Sequence, residues 1–192
     1  MYRADTTRLK TVCASYRLLA RRLLLAAMLL CGPASVSAEE HTQAEYQVKA
    51  AFLYNFARFT SWPEHTNSTF NLCILGDDPF SEALDALTGK TVHNETLTVT
   101  RLDHPSALDG CELVYISASY SDELNEIIAL LQEQAILTVS DIDAFIDHGG
   151  IIGFRIIDNK IRFEINTSAA ARAGLAISSK LLSLASRVSM ER

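Results

Sequence analysis

The stretch that decides the fold is Ile151-Ile152-Gly153-Phe154-Arg155-Ile156-Ile157-Asp158-Asn159-Lys160-Ile161-Arg162-Phe163-Glu164-Ile165-Asn166. Asp158-Asn159 suits a two-residue turn with positive φ, which makes the flanking segments the two arms of a β-hairpin. In that register 157 faces 160, 155 faces 162 and 153 faces 164. One side then carries Ile152, Phe154, Ile156, Ile161, Phe163 and Ile165, all apolar. A slip of one residue would scatter them over both sides, so the segregation itself supports the register. The opposite side sets Arg155 directly across from Arg162. Like charges so placed are unfavourable unless an anion or carboxylate is near. Either Glu164 relieves them diagonally, or Arg155 and Arg162 engage an acidic group of a partner or ligand.

Working outward, Asn166-Thr167-Ser168 can cap a long helix with Ala170, Ala173, Ile177, Leu181, Leu184 and Val188 at helical spacing. Leu175 and Leu182 fall on another face of it, a strip that either packs under a loop or serves a dimer or partner. Upstream, strands are expected at 70–76, 96–102, 113–117 and 136–139, with an amphipathic helix over 121–134 and a short helix near 141–147. Phe70 to Gly76 runs into Asp77-Asp78-Pro79-Phe80, where Asp78 can cap a helix start. The carboxyl end of such a strand is also where open α/β sheets bind ligands, which makes Asp77 and Asp78 a possible ligand loop. Paired aspartates repel phosphate, so this is no nucleotide cradle. Over residues 44–60, Val48, Phe52, Phe56 and Phe59 line one helical face, and Trp62-Pro63 ends the helix. The expected fold is a single α/β domain: a mixed β-sheet covered by helices, an α/β sandwich, with a C-terminal β-hairpin followed by a long helix.

Composition bounds the function. The chain has 192 residues, 48% hydrophobic, with 17 Lys+Arg against 23 Asp+Glu. Residues 1–38 carry six bases and one acid, so the other 154 hold 11 bases and 22 acids. So acidic a domain is ill suited to phosphate backbones, and no nucleic-acid partner is expected. No apolar run reaches the roughly 20 residues of a spanning helix. Instead Arg21-Arg22, Leu23 to Leu30 and Gly32 to Ala38 form a charged region, an apolar core and a small-residue cleavage site. The chain therefore reads as 1–38 signal peptide, cleaved near Ala38, and 39–192 exported domain with a core of about 44–188. Export leaves Cys73 and Cys111 as the remaining cysteines, and an even pair in an oxidising compartment reads as a disulfide. The other readings are two buried thiols or, less well supported by nearby histidines, a metal site.

No catalytic constellation stands out. His41, His65, His93, His104 and His148 show neither metal-ligand spacing nor a paired nucleophile, and the glycines form no phosphate loop. No enzyme activity and no cofactor are expected. A small-molecule sensor using the edge near Asp77 or the Arg155/Arg162 face is the rival to a protein-binding regulator.

Three segments resemble the YfiR family of periplasmic proteins: Val48 to Phe56 running on to Phe59 and Trp62-Pro63, Cys73 to Phe80, and Gly149 to Phe154 continuing through Arg162 to Asn166 and Ala173 to Leu182. The resemblance implies a periplasmic α/β domain that binds the periplasmic sensory region of a membrane diguanylate cyclase. Such binding represses cyclic-di-GMP synthesis and biofilm matrix. It also implies an outer-membrane peptidoglycan-binding lipoprotein as a second partner, and a homodimer. Cys73 and Cys111 look like the family's stabilising disulfide, and Glu164 is similar to a partner-surface position. A second cysteine pair of the family has no counterpart, since residues 144–152 contain no cysteine.

Overall fold

The computed structural model describes residues 36–63 and 68–190. The expected signal peptide lies outside these residues up to position 35. Thr42 to Arg192 cluster as one unit, and the fold below is that unit's.

A long helix, α1 (Val36–Phe59), precedes a central sheet built from β2 (Thr69–Leu75), β3 (Thr91–Val92), β4 (Glu95–Leu102), β5 (Leu113–Ile116), β6 (Leu137–Ser140), β7 (Ile152–Ile157), β8 (Lys160–Asn166) and β10 (Arg187–Ser189). Their order across the sheet is β10-β8-β7-β6-β5-β2-β4-β3. Pairing is parallel from β4 through β2, β5 and β6 to β7 and again between β8 and β10; β7–β8 and β3–β4 are antiparallel. The sheet is thus mixed. Two short strands, β1 (Thr60–Ser61) and β9 (Ala176–Ile177), pair antiparallel beside it.

The central strands are apolar on both sides, as strands covered on both faces must be. Phe70, Leu72, Ile74, Leu113, Tyr115, Leu137 and Val139 join α1 in one core. Cys73, Leu75, Val114 and Ile116 turn to the other face and pack against Leu124, Ile127, Ile128 and Leu131 of α3 (Leu124–Leu131). Alternation along each strand therefore serves two layers of helix.

Four expectations are corrected. The buried face of α1 is centred on Ala50, Leu53, Phe56 and Ala57, while Val48 is 46% exposed and Phe52 and Phe59 are half-buried. Reading the aromatic spacing alone rotates the face, because close approach of a helix to a sheet favours its small residues. Residues 142–148 form successive turns, with Ala144 at φ 56, instead of a helix. After Pro79 the helix α2 (Glu82–Asp85) begins later than expected, and Asp78 accepts from Phe80 N at 2.7 Å in a local turn. Finally, the hairpin is followed by helix in two short pieces, α4 (Thr167–Arg172) and α5 (Ser179–Leu182), and not by one long helix. Asn166 caps α4 as expected, accepting from Ala169 N at 2.9 Å. Gly174, at φ +71, then stops the helix: its N–H donates to Ala171 O and that of Leu175 to Ala170 O, the paired bonds of a glycine-terminated helix end. Ser178 caps α5 in turn. Apolar spacing continues past both breaks, which is why periodicity alone overran them.

Candidate functional site

The hairpin has the expected register. Ile157 pairs with Lys160, Arg155 with Arg162 and Gly153 with Glu164. Asp158 and Asn159 have φ 50 and 56, the two positive values a tight hairpin turn of this hand requires. Its apolar side is continuous, but only the base is covered. Ile152, Phe154, Phe163 and Ile165 are buried, whereas Ile156 is 62% exposed and Ile157, on the opposite side, 43%. The last two residues of β7 stand beyond the reach of α1, whose Phe52 and Phe56 rings meet those of Phe154 and Phe163.

The three charged residues of the hairpin have different fates. Arg155 Nη1 lies 2.7 Å from Asp143 Oδ1, a pair in which Asp143 is 97% exposed. Glu164 is 3.7 Å from Arg187, which also makes a two-pronged contact with Asp147. Diagonal relief of the Arg155/Arg162 pair by Glu164 is therefore not what forms. Among the described residues Arg162 makes no ion pair.

Beside the hairpin opens a cleft of about 280 Å³ lined by Glu45, Lys49, Asp141, Asp143, Phe154, Arg155 and Ile156. Its floor is a charged cluster that sequence reading missed. Asp141 directly follows β6, at the carboxyl end of a parallel strand. One of its oxygens, Oδ2, accepts from Lys49 Nζ at 2.6 Å and from the Tyr46 hydroxyl at 3.0 Å, and the Tyr115 phenol acts on the same carboxylate. Lys49, 3% exposed, also meets Glu45 at 2.5 Å one turn back on α1, and its ammonium lies 4.3 Å from the centroid of the Tyr46 ring. Burial pushes the Asp141 carboxyl up, but the hydrogen bonds from Lys49 and Tyr115, with the Lys49 charge, outweigh it and hold it below the usual range. Burial likewise opposes the charge on Lys49, and its two carboxylate partners more than restore it, leaving its pKa raised. Burial and the neighbouring carboxylate push the Tyr115 phenol far up, so it stays protonated. The cue was present in the sequence: a lysine inside the apolar run Val48-Lys49-Ala50-Ala51-Phe52, and an aspartate at the end of an apolar strand. Neither names its partner.

The remaining expected residues lie elsewhere. Asp78 is tied to Arg101 at 2.7 Å as well as to its own turn, and Asp77 is exposed. Phe80 fills the space behind them, its ring 5.2 Å from Tyr46 and 4.7 Å from Tyr115. Cys73 and Cys111 form a disulfide, Cα atoms 6.0 Å apart, buried on the α3 side of the sheet. Leu175 does not lie on an outer strip: it is 5% exposed in the core, and Leu182 packs against it from the edge. The Gly174 stop turns Leu175 inward. Of the histidines, His93 Nε2 lies 3.0 and 2.8 Å from Ala57 O and Thr60 O, satisfying carbonyls at the end of α1. Among the described residues no group of acids, histidines and cysteines is placed to hold a metal, and no helix is long and apolar enough to cross a membrane.

The arrangement has two candidate surfaces: a cleft with charges of both signs, and a projecting apolar and basic hairpin. A family model described as YfiR/HmsC-like matches residues 46–186, which takes in the hairpin and every residue of the cleft lining but Glu45. The crystal structure of a conserved domain protein from Vibrio cholerae O1 biovar El Tor strain N16961 is similar with a TM-score of 0.50 at 10% identity, over 75% of this chain and 60% of that one. The chain thus spans about 60% of the length of that solved protein, and the likeness concerns the fold alone.

Proposed function

The chain belongs to the YfiR/HmsC-like family, and from that premise we propose that it is a periplasmic regulator that binds the sensory region of an inner-membrane diguanylate cyclase and represses cyclic-di-GMP synthesis. The observation that carries the reading is the family match across nearly all of the described domain. The hairpin supports it: its tip leaves Ile156, Ile157, Lys160 and Arg162 exposed beyond the core. An exposed apolar pair rimmed by cations is a surface for a protein, and nothing in the domain's own packing requires it. Export through the segment 1–38 and the disulfide fit an oxidising compartment. An outer-membrane peptidoglycan-binding lipoprotein that competes for the regulator, and a homodimer, belong to the same reading.

Deletion of the gene in a strain that expresses the cyclase is expected to raise cyclic-di-GMP and surface attachment. Unchanged nucleotide levels would overturn the assignment. A crosslinked pull-down from inner and outer membrane fractions then names the partner.

The cleft favours a second reading, in which the domain is a small-molecule sensor acting on a membrane receptor. Lys49 and Arg155 against Glu45 and Asp143 offer both signs of charge to one ligand, with Phe154 and Ile156 as an apolar wall. The two readings are compatible, since a ligand that prefers one state of the cleft shifts partner affinity at the adjoining hairpin.

A further inference from the structure

We propose that the outer edge of β8, around Ile161, takes up an extended acidic segment of a partner protein by strand addition. This deepens the regulator reading by stating the chemistry of the partner at the hairpin.

β8 has β7 on its inner side, but on its outer side β10 pairs only with Glu164–Asn166. Toward the turn, Ser186 N donates to Phe163 O, and among the described residues no backbone bond reaches Ile161 from outside. The two-residue turn makes 157/160 and 155/162 the hydrogen-bonded pairs of the hairpin. The N–H and C=O of Ile161 and the N–H of Phe163 therefore point outward. This is an open strand edge at the most projecting part of the sheet, and open edges template further strands.

Charge decides what fits it. Arg162 sits across from Arg155, and Asp143 compensates only Arg155. Lys160 and Arg162 are exposed and make no ion pair among the described residues. A second copy adding antiparallel at this edge sets these cations against their own counterparts, which is unfavourable. A lipid surface offers the exposed isoleucines a place but leaves the edge N–H and C=O groups unsatisfied in hydrocarbon. An extended protein segment with carboxylates at alternate positions satisfies all three demands: its backbone completes the edge, its acids meet Lys160 and Arg162, and its apolar residues flank Ile161.

The test uses the purified protein, a short peptide alternating glutamate and valine, and a lysine-for-glutamate counterpart. The glutamate peptide is expected to bind, to slow amide exchange at Ile161 and Phe163, and to lose about tenfold in affinity with Arg162→Glu. Ile161→Pro, which removes an outward donor and leaves the β7 ladder intact, is expected to lose a similar factor. Exchange measured on the unaltered protein keeps the test decisive if a variant folds poorly. Equal binding of the lysine peptide, unslowed exchange at Ile161, self-association through this edge, or protection of the tip by anionic vesicles alone each overturns the proposal. If gene deletion raises cyclic-di-GMP but the peptide does not bind, the edge is wrong and the regulator reading stands; binding with unchanged nucleotide levels has the opposite meaning.

Discussion

Two ion pairs lie side by side in this protein, and burial separates their roles. At the floor of the cleft, Lys49 at 3% exposure holds Asp141 at 17%. At its rim, Arg155 at 40% holds Asp143 at 97%. The distances are nearly equal, 2.6 and 2.7 Å. Water makes the difference: the inner pair has given up its hydration and is satisfied by protein groups from α1, β5 and the end of β6, whereas the outer pair is solvated and worth little by itself. The inner cluster fastens the helix to the sheet. The outer one leaves its charges available for exchange with a partner.

The largest effect is expected from the disulfide that stabilises the scaffold under both clusters. Its 38-residue separation corresponds to roughly 4 kcal/mol on the chain-entropy model, so Cys73→Ser should lower the denaturation midpoint strongly in urea. Equal stability of oxidised and reduced protein would remove that argument. Next, Asp141→Ala leaves Lys49 buried with Glu45 as its remaining acidic partner and should cost about 3 kcal/mol. A loss no larger than that of Asp143→Ala, expected within about 0.5 kcal/mol, would erase the distinction between floor and rim.

A pH titration sharpens the same contrast. The folded pKa of Asp141 lies below its unfolded value, so its contribution is complete above the unfolded value of about 3.9 and is lost as pH falls through the folded one. Lys49 has the opposite sign: its contribution is complete below the unfolded value of about 10.4 and is lost as pH rises through the raised folded value. Stability curves of wild type and Asp141→Asn should therefore converge in acid, and parallel curves throughout would contradict the assignment. The smallest expected effect on folding is that of Arg162→Glu, within about 0.5 kcal/mol in thermal unfolding, since it makes no ion pair to lose. A large loss there would make Arg162 a structural residue and withdraw it from recognition.

The turn and register of the hairpin were legible. Asp158-Asn159 and strict alternation specify both turn and register, because each depends on neighbours in the chain. The sheet covered by helices was legible too, from the alternation of strands and helices along the chain. The C-terminal helix was overread, since apolar spacing persists through Gly174 and Ser178, yet a glycine that can adopt positive φ and a serine that can cap end one helix and start another. The signs that marked Arg155 and Arg162 were also local, an enforced pairing of like charges.

By itself, then, the sequence determined the turn, the hairpin register, the cysteine pair and the two arginines, all set by periodicity, backbone preference and composition. The tertiary structure alone decided that Lys49 meets Asp141 across 92 residues, that Ile156 lies beyond the end of the core, and that Leu175 turns inward. Those outcomes depend on where separate elements end relative to one another, and spacing within one element carries no information about the length of its neighbour.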